Sequence, residues 1–251
     1  MAELSGLTAV VTGGASGIGE AVCRVLQDRG AVVHAIDRQA GRTVDGVPVL
    51  SADITDEDAV ASAVDSVVES AGGLDILINN AGVGAAGTVG DNSLEEWRQV
   101  FEVNVLGTVI VTRAALPYLR RSANAAIVNT CSVAAVVGLP QRALYSASKG
   151  ALLALTRAMA ADHLAEGIRV CCVNPGTADT PWVTRLLDAA QDPVAERSAL
   201  QARQPTGRLV SADEVAHAVA GLASPLAGST TGVALTVDGG LTGLRLPVGA
   251  D

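Results

Sequence analysis

Short runs of Val, Ile, Leu and Ala alternate along the chain with longer stretches in which apolar residues recur every three to four positions. Runs that are apolar at successive positions suit strands covered on both faces, and the longer period suits amphipathic helices between them. The pattern predicts strands at 7–12, 31–36, 47–51, 74–79, 125–130, 168–174 and 234–237. Helices are predicted at 17–29, 56–71, 93–121, 144–166 and 212–223. This alternation predicts an α/β protein, a single Rossmann-type, doubly wound, seven-stranded parallel sheet with helices on both faces. The 93–121 stretch is expected to split or bend, because Pro117 removes a backbone donor near its end. No repeat or linker divides the chain, so residues 1–251 are read as one domain. One stretch departs from the pattern: between 179 and 208, Pro181, Pro193 and Pro205 punctuate a polar helical segment carrying Arg185, Arg197, Arg203 and Arg208. It is too long for an ordinary connection and reads as a lid over a site, or alternatively as a surface excursion.

Composition narrows the function classes. With 49% hydrophobic and only 17% charged residues the chain is globular, and with two Trp, two Tyr and one Phe its core must be aliphatic. The net charge is −9 and the arginines are scattered, which leaves no footprint for nucleic acid or an anionic membrane. No long uninterrupted apolar run and no basic leader are visible, and a cytoplasmic protein is expected. Cys23, Cys131, Cys171 and Cys172 form no C-x-x-C pair and read as buried thiols. His34, His163 and His217 lie far apart, so no metal site is expected.

The chemistry lies at strand ends. Directly after the first strand, Thr12-Gly13-Gly14-Ala15-Ser16-Gly17-Ile18-Gly19 opens a helix. Glycines there allow a tight turn and let a pyrophosphate approach the positive helix end, although packing alone could also require them. Asp37 follows at the end of the second strand, where a carboxylate accepts both ribose hydroxyls of an adenosine and repels a 2'-phosphate. Arg38 beside it points the other way.

Lys149 is the only lysine in the chain, and Tyr145 stands four residues before it. On a helix that spacing puts both side chains on one face. A phenol ionises near ~10, and lowering that toward ~7 takes about 4 kcal/mol. A cation about 4 Å away in an effective dielectric of ~20 supplies that much. Ser132, after the fifth strand, is placed to donate to a substrate oxygen.

In order and spacing these residues resemble the short-chain dehydrogenase/reductase family across nearly the whole chain. Also shared are Asp53-Ile54, Asn79-Asn80-Ala81-Gly82, Asn104 and Asn174-Pro175-Gly176. The resemblance implies Tyr145 as general base, Lys149 as its partner and a ribose ligand, Ser132 as orienter of the carbonyl or alkoxide, and Asn104 as a water-holding link in a proton relay. It implies NAD contacts from Gly13, Ser16, Gly17, Ile18, Gly19, Asp37, Asp53, Ile54, Asn80, Ala81 and Gly82, and from Pro175, Gly176, Thr177 and Thr180. It also implies a homotetramer, built on helices around 104–116 and 151–162. Within the family, the segment from Pro175 to Trp182 and the pair Arg203-Gln204 resemble the branch of 2-keto-3-deoxy-L-fuconate and cytosolic 3-hydroxybutyrate dehydrogenases.

The expected activity is an NAD-dependent transfer of hydride to or from a secondary alcohol or ketone on a small carboxylate. Arg142, three residues before Tyr145, and Arg203 in the lid segment are placed to close on a substrate anion. Pairing of these arginines with Glu196 or other lid carboxylates is the alternative. A sugar acid of the 2-keto-3-deoxy aldonate type is the expected substrate, with a 3-hydroxybutyrate-like acid next. A 3-oxoacyl thioester reductase is a further alternative. That class commonly uses NADPH and a basic residue near 16 or 37, where this chain has Ser16 and Asp37. A non-catalytic NAD(H)-sensing protein would have no need of Ser132, Tyr145 and Lys149 together.

Overall fold

The computed structural model describes residues 2–39, 43–188 and 190–245. Strands β1 (Thr8–Thr12), β2 (Val32–Asp37), β3 (Thr43–Val44), β4 (Val47–Ser51), β5 (Ile76–Asn79), β6 (Ala126–Thr130), β7 (Arg169–Pro175) and β10 (Ala234–Val237) form one sheet, ordered β10-β7-β6-β5-β1-β2-β4-β3. The seven expected strands are all present and parallel. The expectation of a seven-stranded sheet is corrected by an eighth, the two-residue β3, which runs antiparallel to β4. Its turn, with Asp45 at φ 49° and Gly46 at φ 83°, closes a hairpin too short to show as a hydrophobic period. The remaining pair, β8 (Ala178–Asp179) and β9 (Val210–Ser211), forms a separate two-stranded ribbon.

The strands alternate between two cores. Ala9 and Val11 of β1, Ile76 and Ile78 of β5, and Val128 of β6 face one side, where α1 (Gly17–Asp28) packs on α8 (Ala212–Ala223). Val10, Leu77 and Ile127 face the other, covered by α2 (Glu57–Ala71) and α4 (Gly107–Leu119). Because both faces are buried, the strands read as continuous apolar runs. Local signals set the helix ends: Asp56 accepts from the N–H groups of Asp58 and Ala59, Gly72 ends α2 at φ 82°, and Ser211 with Glu214 forms a capping box on α8. All four cysteines are buried and free.

The 93–121 stretch is interrupted, but not at Pro117. Helix α3 (Leu94–Phe101) passes into a π-helical turn, Glu102–Leu106, and then into α4, which contains Pro117 and continues to Leu119. The N–H of Gly107 reaches back five residues to the carbonyl of Glu102. The inserted residue leaves the 3.6-residue period intact on either side, which hides it in the sequence. The 26 residues from Leu94 to Leu119 match a membrane span in length and hydropathy, but here they carry core-facing residues and Asn104.

Sheet order decides where a site can form. The chain runs outward from β1 through β2 to β4, then returns to β5 on the other side of β1, so the turns after β1 and β5 open a crevice between them. Behind it, the Asn79 and Asn129 side chains pair across β5 and β6 at 2.9 Å, with Asn79 tied to Thr112 of α4. Asn129 is tied to Thr156 of α5 (Ala143–Asp162). This buried polar ladder fixes two helices against the carboxyl ends of the central strands.

Candidate active site

A cleft of about 670 Å³ runs along the carboxyl ends of the strands. Its floor is the turn after β1. A Cβ on Gly13 would lie 2.9 Å from Ala81 Cα, and one on Gly19 would lie 2.1 Å from the Gly13 carbonyl oxygen. Asn80 Nδ2 donates to the carbonyls of Thr12 (3.1 Å) and Gly13 (3.3 Å), stitching the two turns together. Gly19 packs beneath the turn, against the Gly13 carbonyl, and is not among the residues that line the cleft. Gly13, Ser16, Gly17 and Ile18 do line it, at the positive end of α1. The Ser16 side chain makes no hydrogen bond to that helix end, which stays open to an anion.

At the end of β2, Asp37 accepts from Ala15 N (3.2 Å) and Gln39 N (3.1 Å), which aims its carboxylate across the glycine turn. Arg38 also lines the cleft; its side chain is 73% exposed and lies 3.9 Å from Asp53. Asp53 accepts from the backbone and hydroxyl of Thr55, and these bonds, with Arg38, hold its carboxyl below the usual range against the opposing effect of burial. Ile54 is buried under α4, close enough that a Cβ on Gly107 would lie 2.6 Å from it. Asp37, Asp53, Ile54, Asn80, Ala81 and Gly82 all line this end of the cleft.

Ser132, Tyr145 and Lys149 also line the cleft. Lys149 is 4% exposed, its Nζ donates to the Thr130 carbonyl at 2.8 Å, and it lies 5.9 Å from the centre of the Tyr145 ring. Gly82 passes so near that a Cβ there would sit 3.5 Å from Lys149 Nζ. Ser132 Oγ accepts from Ala134 N at 3.1 Å, which leaves its own proton free to donate into the cleft.

Asn104 stands behind this group rather than in it. It is 1% exposed and does not line the cleft. Its Oδ1 accepts from Val83 N (2.8 Å), and its Nδ2 donates to Val83 O (2.9 Å) and to Ser148 Oγ (3.0 Å). Ser148 in turn donates to the Tyr145 carbonyl at 2.8 Å. The amide is thus committed to holding the loop after β5 against α5.

The remaining wall comes from β7 and the 179–208 segment. Pro175, Gly176, Thr177 and Thr180 line the cleft, followed by α6 (Pro181–Asp188) and α7 (Pro193–Ala202). Arg142, just before α5, and Arg203, just after α7, both reach it. Among the described residues neither forms a salt bridge, so the alternative in which lid carboxylates neutralise them is not realised as a direct ion pair. Partial burial and the like charge of Arg203 lower the pKa of Arg142, partly offset by Tyr145 and Glu196.

Sequence reasoning missed several lining residues. Arg185, Leu186 and Leu200 reach the cleft, as do Val133 and Leu139. Trp182 lies against Gly84 and also lines the cleft. The spacing of 182, 185 and 186 on one helix was the available signal, but which face turns inward depends on how the lid docks.

Residues 13–242 match the family model described as "Enoyl-(Acyl carrier protein) reductase". The chain is 40% identical over 247 residues to the cis-4-hydroxycyclohexanecarboxylate dehydrogenase of Sinomonas cyclohexanicum, covering 93% of this chain and 96% of that protein. Among solved structures, the ligand-free aldohexose dehydrogenase of Thermoplasma acidophilum superposes with a TM-score of 0.92 at 32% identity, covering 100% of this chain and 99% of that one. The 3-ketoacyl-(acyl-carrier-protein) reductase of Brucella melitensis, complexed with NADH, superposes at 0.87 and 34% identity, covering 95% and 99%.

Proposed function

The chain belongs to the short-chain dehydrogenase/reductase family, and from that premise we propose that it interconverts a secondary alcohol and a ketone on a small carboxylate, using NAD(H). Two features suit the dinucleotide: the open end of α1 and the Asp37 carboxylate. NAD, when bound, supplies the acceptor or donor for the hydride. The Brucella relative holds NADH on the same fold.

In the oxidation direction Ser132 donates to the substrate oxygen and Tyr145 takes the hydroxyl proton. Lys149, held by the Thr130 carbonyl 5.9 Å from the centre of the Tyr145 ring, steadies the negative charge that develops as the proton is transferred. A relay onward through Asn104 would use its main-chain carbonyl, which already accepts from Thr108 Oγ1 at 3.1 Å, because the amide is occupied. Gly82 and Val83, fixed by Asn104, shape the wall opposite.

The observation that carries the carboxylate is the facing of Arg142 and Arg203 into one cleft without an ion pair. Two guanidiniums brought together at a partly buried site repel, and an anion between them relieves the repulsion. Both the sugar acid and the 3-hydroxy acid satisfy this requirement, and the Sinomonas relative is named for a hydroxy carboxylate. Arg142→Gln should raise KM for a hydroxy acid by about tenfold or more, equivalent to ~1.4 kcal/mol, and leave its neutral analogue nearly unchanged. Equal effects on both would refute the clamp.

A further inference from the structure

We propose that the body of the substrate, between its carbinol and its carboxylate, is hydrocarbon, alicyclic or short aliphatic, and not polyhydroxylated; this rests on the hydroxy-carboxylate reading above. The expectation of a sugar acid rested on the arginines and on the resemblance of the 175–182 segment and Arg203-Gln204 to one branch of the family; the arginines fix the anion and say nothing of the atoms between. The structure shows what surrounds those atoms. Of the residues that line the cleft away from the glycine turn and Asp37, Val133, Leu139, Trp182, Leu186 and Leu200 present apolar side chains. They come from four places: the short helical turn after β6, the loop before α5, α6 and α7.

Polar side chains on that side are few. Ser132 and Tyr145 are taken by the reacting oxygen, and Arg142, Arg185 and Arg203 are donors suited to an anion. Thr180 sits over Gly17 at the coenzyme end, where its hydroxyl donates to the Ala178 carbonyl at 3.3 Å. Gln204, next to Arg203, is 1% exposed, and its amide turns inward to the carbonyls of Thr177 and Arg208. Away from the nucleotide end, the other neutral side-chain donors among the described lining residues are the hydroxyls of Thr130 and Thr177, the Cys131 thiol and the indole N–H of Trp182, and there is no carboxylate or amide acceptor.

A polyhydroxylated acid bound there would leave several hydroxyls desolvated and unpaired, each at a cost of about 1–3 kcal/mol. A cyclohexane ring or short alkyl chain meets the same wall as apolar contact, with its anion at the arginines. The surface selects for apolar substance as well as for charge.

The test is a kinetic panel on the purified protein with saturating NAD. It compares cis-4-hydroxycyclohexanecarboxylate and 3-hydroxybutyrate with gluconate and a 3-deoxy aldonate, and with cyclohexanol as the neutral control. The expected result is a kcat/KM for the better hydrocarbon acid at least about a hundredfold above either sugar acid. A sugar acid oxidised as well as or better than both hydrocarbon acids overturns the proposal, as does turnover of none of the four acids. Cyclohexanol oxidised as fast as its carboxylate would remove the arginine clamp and leave the hydrocarbon pocket standing, so the two readings fail separately. Leu139→Gln supplies an independent measurement: it should lower kcat/KM for the hydrocarbon acid about tenfold and spare the sugar acids, and equal losses on both would count against the pocket.

Discussion

Asn104 holds Val83 by both backbone groups, accepting from its N–H at 2.8 Å and donating to its carbonyl at 2.9 Å, as a neighbouring strand would. The π-helical turn carries this amide, which also reaches Ser148 and through it the carbonyl of Tyr145. Asn104→Ala would leave buried backbone groups of the loop unpaired. A loss of about 2–4 kcal/mol in urea unfolding is expected, with a fall in kcat larger than the change in KM. Unchanged stability would mean that water replaces the amide without cost.

Tyr145→Phe keeps the ring against Lys149 and removes the proton acceptor. Turnover should fall below about a tenth of the parent, a loss exceeding ~1.4 kcal/mol in the barrier. Binding of NADH, followed by fluorescence, should be retained. Substantial residual turnover would reassign the base.

Asp37 governs the choice between NAD and NADP, because its carboxylate is anchored to Ala15 while Arg38 leans toward Asp53. The parent enzyme is expected to prefer NAD in kcat/KM. Asp37→Ser should erode that preference by about tenfold, ~1.4 kcal/mol. Equal use of both coenzymes by the parent would contradict the assignment.

Acid should loosen the lid before the sheet. Glu214 closes the capping box of α8 and pairs with Arg208 at the end of the lid segment, and these bonds push its pKa down to about 2. A depressed carboxylate stabilises the fold above its unfolded pKa, and that contribution is lost as pH falls from the ordinary glutamate range toward 2. Glu214→Gln should flatten the stability profile over that interval, and its exposure keeps the effect small. An unaltered profile in acid titration by circular dichroism would exclude this pair as the acid-sensitive contact.

A homotetramer through α4 and α5 is the expected assembly. Leu152, Leu153, Thr156 and Met159 of α5 face inward, whereas Ala154 and Ala158 are exposed, as is Leu106 at the start of α4. The small residues therefore do not serve the core, and they permit close approach of a second helix. Light scattering at micromolar concentration should give a four-chain mass that Ala158→Glu reduces. A single-chain mass for the parent would refute it.

Much of this was legible in the sequence because it is local. Apolar runs placed the seven parallel strands, the longer apolar period placed the main helical stretches, and Tyr145 with Lys149 declared themselves by helical spacing and the scarcity of lysine. Three things belonged to the tertiary structure alone. The π turn at 102–106 preserves the hydrophobic period around it, so only the backbone reveals that Asn104 faces Val83. Gly13 and Gly19 look alike as turn glycines, yet the approach of the Asn80 turn leaves one on the cleft and puts the other beneath it. The apolar lining of the cleft is assembled from segments between Val133 and Leu200 whose side chains meet only when α6 and α7 dock, and contact between residues so far apart leaves no periodic trace in the chain.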